Sequence, residues 1–170
     1  MKTTIISSIL IFFTFSSALA VPLESPSATV STPVPTSPAP TPKAGQTISI
    51  AYDTKYDQGI SSLSTVSCSD GINGLLSQGY STFDSLPGFP LIGGAPTVEA
   101  WNSPSCGKCY QIHFQGGRID QKVNVTAVDV AKGGFVLGLK AMNQLTNGLA
   151  EQLGRVHATY VEVDRSACGF

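Results

Sequence analysis

The sequence predicts a mainly β domain with short helices that closes into a barrel. Three observations support this prediction. From residue 47 onward the chain contains about six short stretches rich in β-branched or aromatic residues, glycine and proline clusters separate them, and all four cysteines lie among them. Many short strands with such punctuation are typical of closed barrels, in which no sheet edge is left exposed.

Length and composition limit the classes of protein to consider. The chain has 170 residues, 42% of them hydrophobic and 12% charged, and its formal net charge is -1 at pH 7. This length allows one ordinary domain with a tail. So little charge is not typical of a disordered chain, and near neutrality excludes the basic surface of a nucleic-acid binder or a polybasic membrane module. We therefore expect no nucleic-acid partner.

The first 20 residues, 1–20, predict a secretory signal peptide. Lys2 precedes an apolar run that ends at Phe13, and small residues then lead to Ala18-Leu19-Ala20. The run is shorter than the roughly 20 apolar residues that cross a bilayer, so a transmembrane anchor is disfavoured. We expect cleavage after Ala20, no membrane span and a secreted, extracellular product.

Residues 21–46 are expected to be a disordered spacer. They hold most of the eleven prolines together with serines and threonines, in runs such as Thr32-Pro33-Val34-Pro35. Proline fixes φ and removes backbone donors, so the segment should be extended, and its hydroxyl groups suit O-glycosylation. It is either a stalk that keeps the domain clear of a wall or a tolerated disordered terminus.

Residues 47–170 are expected to form the folded domain. A helix is predicted over 71–78, where Asp70 is placed to act as N-cap, and another over 139–145, where apolar residues recur at helical spacing before Asn147-Gly148. Strands are predicted where β-branched and aromatic residues dominate, in several cases with alternation: residues 48–52, 98–101, 110–114, 122–129, 134–137 and 156–163.

The cysteines indicate two disulfides, because an even number in a secreted chain is normally paired. They are Cys68, Cys106, Cys109 and Cys168. A bond from Cys106 to Cys109 would close a tiny, strained loop, which leaves two connectivities with distant partners. In a cytosolic protein this CxxC motif would suggest redox chemistry or zinc. No βαβ pattern follows it, and zinc would need the other two cysteines nearby and reduced, so we expect no metal site.

Asp129 is the most informative acidic residue. Val123, Val125 and Ala127 alternate towards one face, and the same period places Asp129 on that apolar face at the end of a strand. A carboxylate there is costly unless it is partnered or functional, so Asp129 is either a site residue or a structural cap of the following turn. Hydrolysis of a glycoside would need a second carboxylate about 5 to 9.5 Å away. The candidates are Asp53, Asp57 and Asp70.

Aromatic side chains could supply a surface that stacks on sugar rings. Tyr52, Tyr56 and Trp101 are expected to be exposed because polar residues flank them. His113 and His157 lie in predicted strands outside any catalytic motif, so we expect both to be ordinary strand residues.

The stretch Asn124-Val125-Thr126 is an N-glycosylation sequon. Asn124 alternates away from the apolar face of its predicted strand, so the sequence leaves occupied and unoccupied forms both open.

Several stretches of the domain resemble the cerato-platanin family. The resemblance covers about Ile48 to Phe170, with the four cysteines in the family's order. The stretches are Tyr52-Asp53-Thr54 with Tyr56-Asp57, Ser67-Cys68-Ser69-Asp70-Gly71, Trp101-Asn102-Ser103-Pro104-Ser105-Cys106-Gly107-Lys108-Cys109, Ala127-Val128-Asp129-Val130-Ala131, Ala141-Met142-Asn143 and Ser166-Ala167-Cys168-Gly169.

This resemblance implies a six-stranded double-ψ β-barrel, related in fold to the first domain of expansins and to barrel-type endoglucanases. It implies disulfides from Cys68 to Cys106 and from Cys109 to Cys168. It also implies a small secreted fungal protein, found in the wall or the medium, that binds chitin or N-acetylglucosamine oligomers in a shallow groove and elicits plant defence. Some members loosen cellulose without hydrolysing it.

Carried over position by position, the resemblance makes Asp129 the acid of the groove. It places Ser69, Asp70 and Gly71 in the loop across from that acid, and it brings Tyr52, Asp53 and Asn102 near the groove. The sequence departs from the family in two places. The spacer is not part of the usual architecture, and Val130 rather than a polar residue follows the groove acid, which removes a potential partner for Asp129.

The sequence thus favours a carbohydrate-binding protein with no catalytic residue, cofactor or metal. Its expected partners are chitin or N-acetylglucosamine oligomers, cellulose and a plant immune receptor. The alternative is a weak polysaccharide hydrolase in which Asp129 is the general acid and Asp53 or Asp70 its partner. In a third interpretation the domain is chiefly surface-active or immune-recognised, a monomer that self-assembles at interfaces.

Overall fold

The computed structural model describes residues 47–170. The predicted signal peptide, residues 1–20, and the predicted spacer, residues 21–46, lie outside the described residues. The strands are β1 Thr47–Tyr52, β2 Ile92–Ala95, β3 Cys109–Gly116, β4 Ile119–Val130, β5 Phe135–Leu137 and β6 Arg155–Val163, and the α-helices are α1 Leu139–Leu145 and α2 Ala150–Leu153. Short 3-10 helices occupy Thr54–Asp57, Leu63–Thr65, Leu76–Gln78, Phe83–Ser85 and Arg165–Cys168.

The six strands form one closed barrel in the order β1-β5-β2-β4-β3-β6. Two pairs are parallel: β1 lies beside β5, and β2 lies beside β4, where Gly94 is opposite Asp129. The remaining neighbours are antiparallel, and β6 beside β1 closes the ring. This architecture confirms the predicted class, a mainly β fold with short helices and a six-stranded barrel.

The interior of the barrel is filled by aliphatic and aromatic side chains. Tyr110, Phe135 and Tyr160 meet edge to face, with ring centroids 5.5 Å apart for Tyr110 and Phe135 and 5.0 Å for Phe135 and Tyr160. This geometry aligns the positive edge of one ring with the negative face of the next. The packed interior holds the strand ends, and therefore the loops that follow them, in fixed positions.

Of the two disulfides, one joins two loops and the other joins the C-terminal segment to the barrel. Cys68 is bonded to Cys106, and Cys109, the first residue of β3, is bonded to Cys168 in the C-terminal 3-10 helix. The connectivity implied by the family resemblance is therefore confirmed. Both cysteines of the CxxC motif are used structurally, and residues 47–170 contain no free thiol.

One predicted strand is wrong. Residues 98–101 lie in an irregular loop, and the barrel instead uses β2, Ile92–Ala95, a segment whose glycines indicate a turn in the sequence. A Cβ atom on Gly93 would collide with the carbonyl oxygen of Val136 on the neighbouring strand. Glycine is therefore required for close backbone approach at this point, and a strand of that kind carries the composition of a loop.

The helix predicted over 71–78 is also wrong, since only the 3-10 helix Leu76–Gln78 forms there. The backbone N–H of Leu75 donates to the carbonyl of Cys68 at 2.9 Å, and the next residue repeats the pattern one position later. These bonds reach back seven residues, whereas an α-helix bonds four residues back. The segment therefore folds onto itself as a loop.

The other predicted elements are confirmed with small shifts of their bounds. Five predicted strands correspond to β1, β3, β4, β5 and β6, and α1 matches the prediction over 139–145. The short helix α2 has no counterpart among the predicted elements. Within residues 47–170 every helix is too short or too polar to cross a bilayer.

Candidate functional site

Asp129 lies near the end of β4 and is only 8% exposed. Two backbone N–H groups, of Ser67 at 3.0 Å and of Val130 at 2.9 Å, donate to its Oδ1. The hydroxyl of Tyr56 at 3.0 Å and the ammonium of Lys55 at 3.2 Å donate to Oδ2. The expected position on the apolar face is confirmed, and the carboxylate is fully partnered there.

These four donors keep Asp129 ionised. Burial alone would raise the pKa of the carboxyl, but the hydrogen bonds from Ser67, Val130 and Lys55 outweigh it and hold the pKa below its ordinary value of 3.8. Burial, followed by the charge of Asp129, raises the pKa of the Tyr56 hydroxyl well above its usual range. Near neutral pH the pair is therefore a carboxylate that accepts a hydrogen bond from a neutral phenol, and Asp129 has no proton to give.

Lys55 and Tyr56 are partners of Asp129 that sequence reasoning missed. The predicted exposure of Tyr56 is wrong, because its ring is 2% exposed and packs near Phe83 at 6.2 Å between centroids. Its polar neighbours in the chain suggest solvent, whereas the 3-10 helix Thr54–Asp57 turns the ring inward. Val130 has no polar side chain to bond to Asp129, but its backbone N–H donates to the Asp129 carboxylate instead.

Tyr52 and Asp53 lie directly before this cluster. Tyr52 ends β1 and is half-buried, and Asp53 is the N-cap of the 3-10 helix Thr54–Asp57, where its Oδ1 accepts the backbone N–H of Lys55 at 2.9 Å. This cap sets the start of the turn that delivers Lys55 to Asp129. Asp53 thus supports the buried acid through the backbone.

The second predicted acid, Asp70, has the opposite environment. It is exposed, and its Oδ1 accepts the indole N–H of Trp101 at 2.6 Å and the hydroxyl of Ser69 at 3.1 Å. The hydrogen bond from Trp101, and then that from Ser69, lowers the pKa of Asp70. Trp101 itself is 59% exposed, as predicted, so a large aromatic surface is held in place beside an ionised carboxylate.

Gly71 and Asn102 connect the loop that carries Asp70 to the loop that carries Trp101. The Oδ1 of Asn102 accepts the backbone N–H of Asn73 at 2.9 Å, and its carbonyl accepts the side-chain amide of Asn73 at 2.9 Å. Gly71 has a φ of +86°, and a Cβ there would press on the Asn102 amide. Glycine is therefore needed where the two loops touch, and Asn102 is a linker between them.

A short segment joins the two acids. Ser67 donates its N–H to Asp129, Cys68 donates its own to the carbonyl of Val128 at 3.1 Å, and Ser69 and Asp70 follow. Three peptide steps of about 3.8 Å place the Cα of Asp70 within about 11 Å of that of Ser67. The structure thus brings the predicted residues into two adjoining groups, one buried around Asp129 and one exposed around Asp70 and Trp101.

Neither histidine adds a candidate catalytic group to this site. His113 and His157 lie in β3 and β6, and the Nε2 of His113 is 2.6 Å from Asp120 on the neighbouring strand. Among residues 47–170, no group of three or more His, Cys, Asp or Glu side chains is arranged to hold a metal ion.

Comparisons with known proteins agree with this architecture. The family model described as Cerato-platanin matches residues 48–170. Allergen Asp f 15 of Aspergillus fumigatus is 51% identical over 121 residues, which cover 71% of this chain and 76% of that protein.

Two solved structures are also similar. The crystal structure of cerato-platanin 3 from M. perniciosa has a TM-score of 0.70 and 46% identity, and the match covers 74% of this chain and all of that one. The solution structure of the fungal elicitor Cerato-Platanin has a TM-score of 0.63 and 38% identity, with 71% and 96% covered. The barrel, the two disulfides and these matches together show that the chain belongs to the cerato-platanin family.

Proposed function

We propose that this chain is a secreted, non-catalytic carbohydrate-binding protein that recognises chitin or N-acetylglucosamine oligomers. The observation that carries the proposal is the exposed ring of Trp101, fixed by its hydrogen bond to Asp70. Tryptophan combines a large apolar face with a polar edge, which suits it to contact surfaces. In this domain the exposed face of the Trp101 indole lies beside the Asp70 carboxylate, which can accept further hydrogen bonds.

A pyranose ring suits such a surface. Its apolar face would lie on the indole, while its hydroxyl or acetamido N–H groups would donate to the outer oxygen of Asp70. Ser69, which donates to Asp70, would hold that carboxylate in place for the sugar, and Asn102, next to Trp101 in the chain, would fix the loop that carries the indole. Tyr52, at the end of β1, would add a second aromatic contact for a longer oligomer. Since the surface is shallow and solvated, we expect modest affinity that increases with oligomer length.

The buried acid supports binding without hydrolysis. A general acid must be protonated at the working pH, which requires a raised pKa, whereas the pKa of Asp129 is lowered and both its oxygens are occupied. The alternative, a weak hydrolase that uses Asp129 with Asp53 or Asp70, therefore has the less suitable chemistry. Asp129 instead holds together the loops that present Asp70 and Tyr52.

The same proposal covers the biological setting. A secreted protein that replaces contacts between glycan chains with its own contacts would loosen a wall without breaking bonds, in the manner of an expansin. A fungal wall protein of this kind is also available to a plant immune receptor, and one structural relative is described as a fungal elicitor. We propose both roles, together with extracellular and cell-wall locations.

The test uses the intrinsic fluorescence of Trp101, which is the chain's one tryptophan. Titration with N-acetylglucosamine oligomers of two to six units should shift and saturate the emission, with tighter binding of the longer oligomers. Trp101→Ala, measured by calorimetry, should weaken binding by about tenfold, which corresponds to ~1.4 kcal/mol. Trp101→Phe, which keeps a ring but loses the N–H donor, should retain part of the affinity.

Leu153→Ala is the matched control, since it removes an exposed apolar side chain on α2. It should bind as the unmodified chain does. Saturable binding with no new reducing ends in the same tube supports the proposal. Product formation that Asp129→Asn abolishes while the variant remains folded would establish the hydrolase. An unchanged emission at millimolar oligomer would exclude this surface as the site.

A further inference from the structure

A cleft lies in the domain away from Asp70, Trp101 and Asp129. It has a volume of about 600 Å³, and none of those residues lines it. Its walls come from the 87–91 loop, from β3 and β4, from α1 and from the C-terminal residues 167–169. A volume of this size is ordinary for small-molecule sites, which range from about 300 to 1,000 Å³. The proposed carbohydrate surface leaves this cleft without a role.

The charges around the cleft have one sign. Lys122 on β4 and Lys140 on α1 line it, and no Asp or Glu does. Among residues 47–170 neither lysine forms an ion pair, and the nearby acid Asp120 is bonded to His113 and Gln115. Two ammonium groups without partners on separate walls favour an anionic ligand.

Three amide side chains line the same cleft. Gln111 and Asn124 are register partners on β3 and β4, and the Gln111 amide donates to Asn124 Oδ1 at 3.3 Å. The Asn124 amide in turn donates to the carbonyl of Ala167 at 3.1 Å. These two bonds fix both side chains and leave the side-chain oxygen of Gln111 without a partner among the described residues. Gln144, one helical turn after Lys140, adds a third amide.

An apolar face completes the lining. Phe89, with its chain neighbours Gly88 and Pro90, lines the cleft, and the Lys140 ammonium lies 6.0 Å from the centroid of the Phe89 ring. An aromatic face next to a cation offers stacking to a ring that carries a negative substituent. A simple inorganic anion would contact the lysines but would have no group to stack on the Phe89 ring and no hydroxyl groups to bond to the amides.

We propose that this cleft binds a carboxylated sugar, a uronic acid unit of an acidic polysaccharide. The carboxylate would lie between Lys122 and Lys140, the hydroxyl groups would bond to Gln111, Asn124 and Gln144, and the sugar ring would lie against Phe89. The domain then has two sugar sites of different chemistry, a neutral one around Trp101 and an anionic one here. A chain with two such sites can bridge a neutral and an acidic glycan.

The sequon bears directly on this site. The atom that would carry an N-glycan is the Asn124 side-chain nitrogen, which bonds to Ala167 inside the cleft. A glycan at Asn124 would replace one of the two hydrogens of that nitrogen and would compete with a ligand for the space in the cleft. The test accordingly uses the full chain produced without N-glycosylation.

The experiment is an NMR titration with a trimer of galacturonate, followed through the side-chain amide signals of Gln111, Asn124 and Gln144. The amide signals should shift and saturate with the trimer, and 0.5 M NaCl should weaken the apparent affinity by about tenfold or more, because exposed charges are screened. The variant carrying Lys122→Gln and Lys140→Gln should show at least a tenfold loss. Lys132→Gln, which changes an exposed lysine outside the cleft, is the matched control and should titrate normally.

Each remaining outcome contradicts the proposal. Equal shifts with inorganic phosphate at the same concentration would make the cleft a simple anion site. Equal shifts with a neutral N-acetylglucosamine trimer would show that binding does not depend on the charge of the sugar. No shift with the galacturonate trimer would exclude the cleft as its site. A shift that persists in the double variant would show that the two lysines do not bind the carboxylate. Trp101 emission, recorded in the same samples, reports the neutral site separately, so failure of one proposal is distinguishable from failure of the other.

Discussion

At the scale of single residues, two aspartates that the sequence singles out have opposite environments. Asp129 is buried and accepts four hydrogen bonds, whereas Asp70 is exposed and holds the indole of Trp101. A buried carboxylate with satisfied oxygens fixes the structure around it, and an exposed one with a free oxygen can meet a ligand. The difference in environment favours a structural role for Asp129, the acid that alternation singles out, and a ligand-contacting role for Asp70.

Asp129→Asn should lower the free energy of unfolding at pH 7 by about 2–4 kcal/mol. The amide replaces a charged acceptor by a neutral one, and its NH₂ group would face donors. Urea denaturation followed by Trp101 emission measures the loss. Asp53→Asn is the matched control, since asparagine caps a helix about as well as aspartate and the change should stay within about 0.5 kcal/mol.

The same variant should change the acid dependence of stability. The pKa of Asp129 is lower in the folded chain than its ordinary 3.8, so the unfolded chain binds the proton more readily. This carboxylate therefore stabilises the fold fully above about pH 4, and the contribution is lost as the pH falls through the folded-state pKa. The amide that replaces it does not titrate, so the variant should lose less stability between about pH 5 and pH 2 than the unmodified chain. Parallel curves for the two proteins would contradict the assignment.

At the scale of elements, β4 contains one hydroxyl that the fold leaves without a partner. Thr126 is 0% exposed and pairs in register with Cys109 and Ile92 on the neighbouring strands, yet its Oγ1 has no hydrogen bond within the described structure. A buried hydroxyl without a partner costs about 1–3 kcal/mol. Because Thr126 is the third residue of the sequon at Asn124, any substitution of it other than serine also removes that sequon.

Thr126→Val should therefore raise the free energy of unfolding by about 1 kcal/mol, because valine has the same shape, no polar atom and a high β propensity. The matched control is Thr146→Val. Thr146 is equally buried, but its hydroxyl donates to the Met142 carbonyl at 2.7 Å, so its loss should destabilise the fold by about 1 kcal/mol. Chemical denaturation of both variants measures the two shifts, and shifts of the same sign would contradict the argument.

Elements differ in how well residue patterns predict them. Five strands and α1 are predicted from β-branched content or helical spacing. Each of them packs one side against the core, and that side is hydrophobic in the sequence. β2 is not predicted, since its two glycines leave no hydrophobic pattern, and Gly93 is required by the close approach of the neighbouring backbone. The 71–78 loop is predicted as a helix because helical spacing and an N-cap residue do not reveal that Leu75 and Leu76 bond seven residues back, to Cys68 and Ser69.

The candidate site was predictable in part for the same reason. Alternation along β4 located Asp129, and polar neighbours correctly marked Trp101 as exposed. The partners Lys55 and Tyr56 lie 74 and 73 positions away from Asp129 in the chain, so only the folded barrel brings them to it. The amides and lysines of the second cleft come from three separate elements and carry no motif at all.

At the scale of the whole molecule, the two disulfides carry a large share of the stability. They join residues 38 and 59 positions apart, and closing loops of these lengths removes enough freedom from the unfolded chain to be worth about 4 kcal/mol each at about 25 °C. Small secreted domains often depend on such bonds.

Replacing Cys109 and Cys168 together by alanine should lower the free energy of unfolding by about 4 kcal/mol, and replacing Cys68 and Cys106 by nearly as much. Guanidinium denaturation of the two double variants, each with its remaining bond intact, measures both losses. The unmodified chain in reductant is the control and should be destabilised more than either variant. A loss below about 1 kcal/mol in both variants would show that the barrel core suffices without them.

The strand order also bears on how the chain reaches its native state. The first strand pairs with the last, with Thr47 opposite Thr159, and only β3 and β4 are neighbours both in the chain and in the barrel. Contacts between distant positions form slowly because their loops must close first. During synthesis from the N-terminus, β1 therefore cannot complete its pairing in the barrel until β6 has also been synthesised. For this barrel we therefore expect slow folding compared with a helical domain of the same length, which refolding kinetics after dilution from denaturant would measure.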